Sequence, residues 1–318
     1  MRALESPPPQ LLAEIAAQSG RASPEGTELL AAELQARFGD SLLAIILYGS
    51  CLRMQQLTEG VVDLYVIVNR YRDAYPGRSL RYLNAWLPPN VFYMETAAAG
   101  TTIRAKYAVI SAYDLQRGCT RWFHSYIWSR FAQPARLVYA RDTAVRERVI
   151  DDFAHALLAF LETTLPVLGE VACDTRMIWE NGLGLTYAAE LRPERHTRAR
   201  DITQQNLADF TALTGVAVPA LTGLLQRMPD GDYRGMTPPG LRRRALLKWR
   251  LRRWQGLFLS VLRLIKAACT FRDGVDYAAW KIERHTGVRI TVTPLLRRHP
   301  VLFGFSVLWR LIKRDVMH

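Results

Sequence analysis

The segment from residue 42 to residue 68 constrains the fold most. An apolar run, Leu42 to Leu47, delivers Tyr48, Gly49 and Ser50 to a turn, and a second run, Val61 to Val68, carries one acid, Asp63, in its interior. Short apolar runs bounded by turn residues predict two buried strands. A charge without a partner among valines is costly. A metal ion supplies the partner, because Mg²⁺ is held by one or two carboxylates together with substrate phosphates. Glycine lets the backbone come close to a phosphate, and serine adds a hydroxyl. Gly49 and Ser50 are therefore candidate phosphate-binding residues, and Asp63 is a candidate Mg²⁺ ligand.

The rest of the chain supplies enough material for such a sheet and more. It has 318 residues, of which 49% are apolar, which suits one large domain or two ordinary ones and excludes a disordered chain. Cys51, Cys119, Cys173 and Cys269 are widely spaced, with no Cys-x-x-Cys pair. That argues against a zinc site or a disulfide framework and fits a reducing compartment. No apolar core follows Arg2, so no signal peptide is expected. No uninterrupted apolar run approaches the roughly 18 residues of a membrane span.

Helical spacing covers Leu11 to Ala17 and Glu28 to Phe38, with Gly39 and Asp40 as a stop. After the two strands, Tyr71 to Pro89 is expected to be loop plus a short helix. Val91 to Glu95 and Thr101 to Ile110 read as a hairpin, Asp114 to Phe131 as one helix, and Arg136 to Tyr139 as a last strand. Helices dominate from Asp142 to Arg227. Met228 to Gly240, rich in Pro and Gly, is the expected linker.

Gly-Ser followed at twelve residues by an acid between apolar residues resembles the DNA polymerase β-like nucleotidyltransferase superfamily. A second acid usually follows two residues on, where this chain has Tyr65. Further motifs resemble the mitochondrial CDP-diacylglycerol synthases, a family of phosphatidate cytidylyltransferases. They are Lys106-Tyr107-Ala108-Val109-Ile110-Ser111, then Ile127 to Pro134, then Gly184 to Arg192, with Arg263, Lys266, Thr270 and Lys281 near the end. The order is right across about 240 residues. The chain departs from the family at Cys51, Ala108 and Gln133, and Arg78 to Asn84 does not match the family's Asn and His-Tyr-Ser region, which points to a bacterial member.

The resemblance implies an α/β (α+β) fold: N-terminal helices over 1–40, a nucleotidyltransferase head over 41–141, a mainly helical domain over 142–240, and a basic amphipathic segment over 241–318. It implies transfer of CMP from CTP to phosphatidic acid, with release of pyrophosphate. Asp63 and Lys106 would be catalytic, and Gly49, Ser50, Arg130, Tyr187, Arg192, Arg263 and Lys266 would bind substrate. Asp63 would hold the metal, with Glu95, after the apolar Val91 to Tyr93, as the best positional guess for a second ligand. On alternation alone Lys106 would face solvent; only the resemblance makes it a phosphate ligand. The nucleophile, a phosphate oxygen, is already ionised at neutral pH and needs no strong base.

The chain has a formal net charge of +13. Residues 241–318 hold 18 basic and 4 acidic residues, a net of +14, so the excess belongs to this quarter. Such asymmetry points to an acidic partner. Between Leu241 and Trp254, leucines and tryptophans alternate with seven basic residues, and Val301 to Val316 repeats the pattern. That composition suits the headgroup region of an anionic bilayer, so a cytoplasmic protein peripheral on the inner face of the membrane is expected, with no transmembrane span. Two alternatives stand beside it: nucleotidyl transfer to RNA, disfavoured because the aromatics sit in leucine-rich stretches, and a non-catalytic binding protein on a decayed core.

Overall fold

The computed structural model describes residues 6–53, 57, 60–98, 101–190 and 196–270. Its centre is a five-stranded sheet: β1 (Leu42–Tyr48), β2 (Val61–Val68), β3 (Asn90–Ala98), β4 (Thr101–Ser111) and β5 (Ala135–Ala140), in the order β3-β4-β2-β1-β5. β2 and β4 run parallel, and every other neighbouring pair is antiparallel. The two apolar runs thus become adjacent central strands. Their residues are buried on both faces, which is why neither run alternates.

Each face of the sheet has its own cover. On one, α2 (Thr27–Phe38) packs Leu30, Leu34 and Phe38 against Ile45, Leu47, Val62, Leu64 and Val66. On the other, Ile46, Tyr65, Ile67 and Leu137 meet α1 (Pro9–Ser19) and the long α7 (Thr143–Leu168). The same apolar cluster continues through Trp179 of α8 (Thr175–Ala188) and Phe210 of α10 (Leu207–Ala217) to Trp249. One core therefore joins the sheet to the helices beyond it. Trp179 and Phe210 stack with ring centres 3.7 Å apart, and the indole N–H of Trp179 donates to Thr214 Oγ1 at 2.9 Å.

Three expectations change. The single helix over Asp114 to Phe131 is two, α5 (Ala112–Thr120) and α6 (Trp128–Phe131). The chain turns back so tightly that a side chain on Gly118 would collide with Ile127. The loop region after β2 holds two helices, α3 (Tyr71–Ala74) and α4 (Arg78–Trp86). Asn84 of α4 is fully buried and donates to the Val109 carbonyl at 3.0 Å, which ties α4 to β4.

The expected linker is ordered structure as well. β7 (Leu225–Arg227) precedes it, and β8 (Tyr233–Gly235) within it forms a small sheet with β7 and β6 (Ala172–Cys173). Gly235 is required because a Cβ there would strike the Gly169 carbonyl. The linker's last prolines open α11 (Pro239–Thr270), a place where proline costs no backbone hydrogen bond. The remaining short helix, α9 (His196–Gln205), packs on α8.

α11 has two unlike faces. Ala245, Trp249 and Arg252 are buried, with the Trp249 indole donating to the Thr163 carbonyl at 2.9 Å. Leu247, Leu251, Trp254, Phe258 and Val261 are exposed, and their spacing of three and four residues aligns them in one stripe.

Candidate functional site

The register of the sheet lines up the chemistry. Tyr48 of β1 lies opposite Asp63, Asp63 opposite Lys106 of β4, and Lys106 opposite Tyr93 of β3. Paired residues on neighbouring strands project to the same face, so the four form one row across one end of the sheet. Beyond Tyr48 the chain leaves β1 through Gly49, at φ +85°. A Cβ on Gly49 would stand 3.4 Å from Oδ2 of Asp63, so the turn runs directly against the carboxylate. Burial and the Asp63 charge hold the Tyr48 hydroxyl well above the usual tyrosine range, so it stays protonated.

A cavity of about 240 Å³ opens at this end of the sheet. Its wall includes Tyr48, Gly49, Ser50 and Asp63 from the β1–β2 region, Arg130 and Gln133 from the α6 region, Tyr187 of α8, and Arg198 of α9. Five residues singled out from the sequence thus meet in one place. Arg130 reaches it as a buried cation: its guanidinium lies 3.9 Å from the centre of the Tyr126 ring and pairs with Glu190 at 3.4 Å. Burial disfavours its charge, but Tyr126, Glu190, Tyr65 and Tyr48 hold it firmly protonated. Tyr187 directs its hydroxyl towards Gln133 Oε1 at 3.5 Å, a long contact.

Tyr65 explains the missing second acid. It follows Asp63 on the same face of β2, is fully buried, and packs between Tyr48 and Phe131 at ring-centre distances of 5.1 and 5.0 Å. A carboxylate there would face the core instead of the cavity.

The structure does not bring Glu95 to Asp63. Glu95 lies two strands away and two residues along, roughly 12 Å by sheet spacing. It pairs with Arg104 at 3.3 Å and accepts from the Tyr93 hydroxyl at 2.6 Å. Among the described residues no cluster of three or more His, Cys, Asp or Glu side chains could enclose a metal. Among the described residues the donor set is one carboxylate beside a Gly-Ser turn. It fits an Mg²⁺ that arrives with a phosphate ligand and does not fit one caged by protein alone.

Arg263 and Lys266 are not on the cavity wall. Arg263 lies behind it, 3.7 Å from the centre of the Tyr126 ring. Lys266 is buried and donates to the carbonyls of Leu87 and of Pro89, the latter at 2.6 Å. Desolvation and the nearby Arg263 charge bring its ammonium down to about 7. Arg192 and Lys281 lie outside the described residues, as does the segment Val301 to Val316.

Sequence reasoning missed Arg198, which no motif marks. No motif marks the surroundings of His124 either. Burial and the charges of Arg263 and Arg252 push its imidazole down to about 3, against a smaller opposite effect of Glu190. A second cavity, about 820 Å³, lies at the other end of the sheet beside Tyr71, Ser111 and Asp114, away from the Asp63 row. There the Tyr71 hydroxyl donates to Asp114 at 2.7 Å.

No family model matches the chain, and no curated protein matches it. Among solved structures, a nucleotidyltransferase-like protein from Exiguobacterium sibiricum is similar at 12% identity over 91% of each chain, with a TM-score of 0.28.

Proposed function

We propose that the chain is a phosphatidate cytidylyltransferase, which transfers CMP from CTP to phosphatidic acid and works on an anionic membrane surface. The observation that carries this reading is the meeting of Gly49, Ser50, Asp63 and Arg130 on one cavity, with Lys106 beside Asp63 in the sheet. The order of sequence motifs supports the choice of CTP and phosphatidic acid.

The chemistry asks little covalent help of the protein. A phosphate oxygen of phosphatidic acid attacks the α-phosphorus of CTP, the bond to the β-phosphate breaks, and pyrophosphate leaves. Positioning and charge stabilisation dominate such transfers. The Gly49–Ser50 turn receives phosphate oxygens, and Lys106 and Arg130 balance the charge that builds on them. Asp63 would hold Mg²⁺ together with the phosphates, and the bound ion would supply charge neutralisation and template the in-line pose. No histidine lines this cavity among the described residues, which suits an acceptor that brings its own ionised oxygen. At about 240 Å³ the cavity is smaller than the ~300–1,000 Å³ typical of ligand clefts, so it suits the phosphate tail, with the base outside.

Membrane association rests on α11. Its exposed stripe from Leu247 to Val261 runs beside Arg243, Arg244, Lys248, Arg250 and Arg253. Each basic residue near an anionic surface contributes about 1 kcal/mol, and the stripe adds apolar insertion. No described helix is long and apolar enough to cross a membrane.

The test is incubation with radiolabelled CTP, Mg²⁺ and phosphatidic acid in detergent, followed by lipid extraction. Label should enter the lipid phase with the wild-type chain and drop at least about 100-fold with Asp63→Asn. A label-free lipid phase with folded wild-type protein would overturn the reading.

A further inference from the structure

The second cavity, about 820 Å³, lies where the two parallel strands end. β2 and β4 finish side by side, with Val68 paired to Ser111. Their continuations then part. The chain after β2 sends Tyr75 and Leu80 into the cluster on the α2 face, and the chain after β4 sends Leu115 and Cys119 into the cluster on the α7 face. Neighbouring parallel strands whose connections leave to opposite faces open a crevice at their carboxyl ends, and ligands of α/β sheets collect in such crevices. Asp63 stands near the other end of β2, six residues from Asn69, or roughly 20 Å at the rise of a strand. Among the described residues none lines both cavities.

The charge on this wall is mostly positive. Arg70 and Arg148 are exposed, Arg117 is half-buried, and Asp114 is the acid that lines the cavity with them. Each arginine has an acid three positions away, and each acid is engaged elsewhere. Asp73 pairs with Arg72 at 3.4 Å, and Asp151 lies 3.3 Å from His155. Asp114 accepts from the Tyr71 hydroxyl at 2.7 Å and from the Ser111 hydroxyl at 3.2 Å. Asp152, one turn beyond Arg148, is raised well above the usual carboxylate range by burial and the Asp151 charge, so it balances little. Among the described residues no ion pair reaches Arg70, Arg117 or Arg148, and Arg117 covers the Tyr113 ring, 5.3 Å from its centre.

We propose that this cavity is a second binding site, separate from the Asp63 row, for a small phosphorylated molecule, with Arg70, Arg117 and Arg148 as its phosphate ligands. A phosphate carries about −1.5 to −2 charge at neutral pH and offers three acceptor oxygens, which suits three forked donors better than a single carboxylate does. At about 820 Å³ the cavity falls within the ~300–1,000 Å³ of ligand clefts, so it has room for the rest of a nucleotide-sized molecule. The phosphate arrives either on a soluble nucleotide or on a lipid headgroup. The site goes beyond the proposed function and does not depend on it.

The experiment maps arginines in the full chain by phenylglyoxal labelling and mass spectrometry, without metal. Inorganic phosphate, CMP or a water-soluble short-chain phosphatidic acid is added before the label. At least one of them should slow labelling of Arg117 and Arg148 by about fivefold or more, as expected at a few times its dissociation constant. Arg227, exposed on β7 and lining neither cavity, should label at an unchanged rate. In Arg148→Gln the concentration that half-protects Arg117 should rise about tenfold, since one charge-assisted contact is lost. Strongest protection by CMP assigns a soluble nucleotide, strongest protection by short-chain phosphatidic acid assigns a lipid headgroup, and equal protection assigns the phosphate alone.

Unchanged labelling of Arg117 and Arg148 with all three probes overturns the proposal. So does equal protection of Arg227, which marks screening without a site, or an unchanged midpoint at Arg117 in Arg148→Gln. If that variant does not fold, labelling of the wild type decides alone. Failure of label transfer from CTP to lipid would defeat the proposed function and leave this site standing.

Discussion

Gly49 runs its backbone against the carboxylate of Asp63, leaving 3.4 Å between Oδ2 and the place where a Cβ would stand. Thirteen residues separate the two in sequence, yet the β1–β2 pairing sets them side by side. The turn has φ +85°, which glycine adopts freely and other residues only with strain. Gly49→Ala should therefore cost about 1 kcal/mol in stability, from backbone strain. It should reduce nucleotide binding far more, because relieving the strain at φ +85° would shift the turn that faces the phosphates. Thermal melts and CTP titration check this; unchanged CTP affinity would detach Gly49 from the site.

Lys106 faces Asp63 across the parallel strands and is half-buried. Lys106→Ala should lower kcat/KM for CTP by about 100-fold while leaving the melting temperature nearly unchanged, since a lost cation acts mainly on transition-state charge. Lys106→Arg should recover part of the rate. A large drop in melting temperature with normal kinetics in the surviving protein would make the residue structural.

The two tryptophans of α11 should behave oppositely. Trp249 is 5% exposed and Trp254 77% exposed. Trp249→Ala should destabilise the fold by roughly 3–5 kcal/mol through the cavity it leaves. Trp254→Ala should change stability by less than about 0.5 kcal/mol. On vesicles containing phosphatidic acid, Trp254→Ala should reduce binding, and neutral phosphatidylcholine vesicles should not bind either protein. Equal sedimentation with anionic and neutral vesicles would defeat the electrostatic account of the membrane surface.

Acid should destabilise the protein through His124. Its folded value, about 3, lies below the unfolded value near 6.5, so the unfolded chain binds the extra proton between those limits. Stability should fall as pH drops from 6.5 towards 3, and His124→Phe should flatten that part of the denaturation profile. Lys266 acts at the other end with the same sign. Folded at about 7 against about 10.5 unfolded, it should make stability rise from pH 7 to 10.5, and Lys266→Met should remove that rise. Chemical denaturation across pH 4–10 measures both slopes.

The sequence by itself determined the local elements that carry strong periodicity and turn chemistry. Leu42 to Leu47 and Val61 to Val68 could only be buried strands, Gly49 and Ser50 could only be the turn between them, and Val91 to Ile110 already read as a hairpin. Each of these depends on residues within a few positions of one another. The tertiary structure alone decided which distant side chains meet. It brought Arg130, Tyr187 and Arg198 from three separate helices to the cavity that Asp63 lines, and it sent Glu95 to Arg104 through a two-residue offset in register. It also turned the expected linker into a strand and split α11 into a buried and an exposed face. Those outcomes follow from packing between segments many tens of residues apart. Hydrophobic periodicity says that a face will be buried, but the partner that buries it is chosen only when the whole core closes.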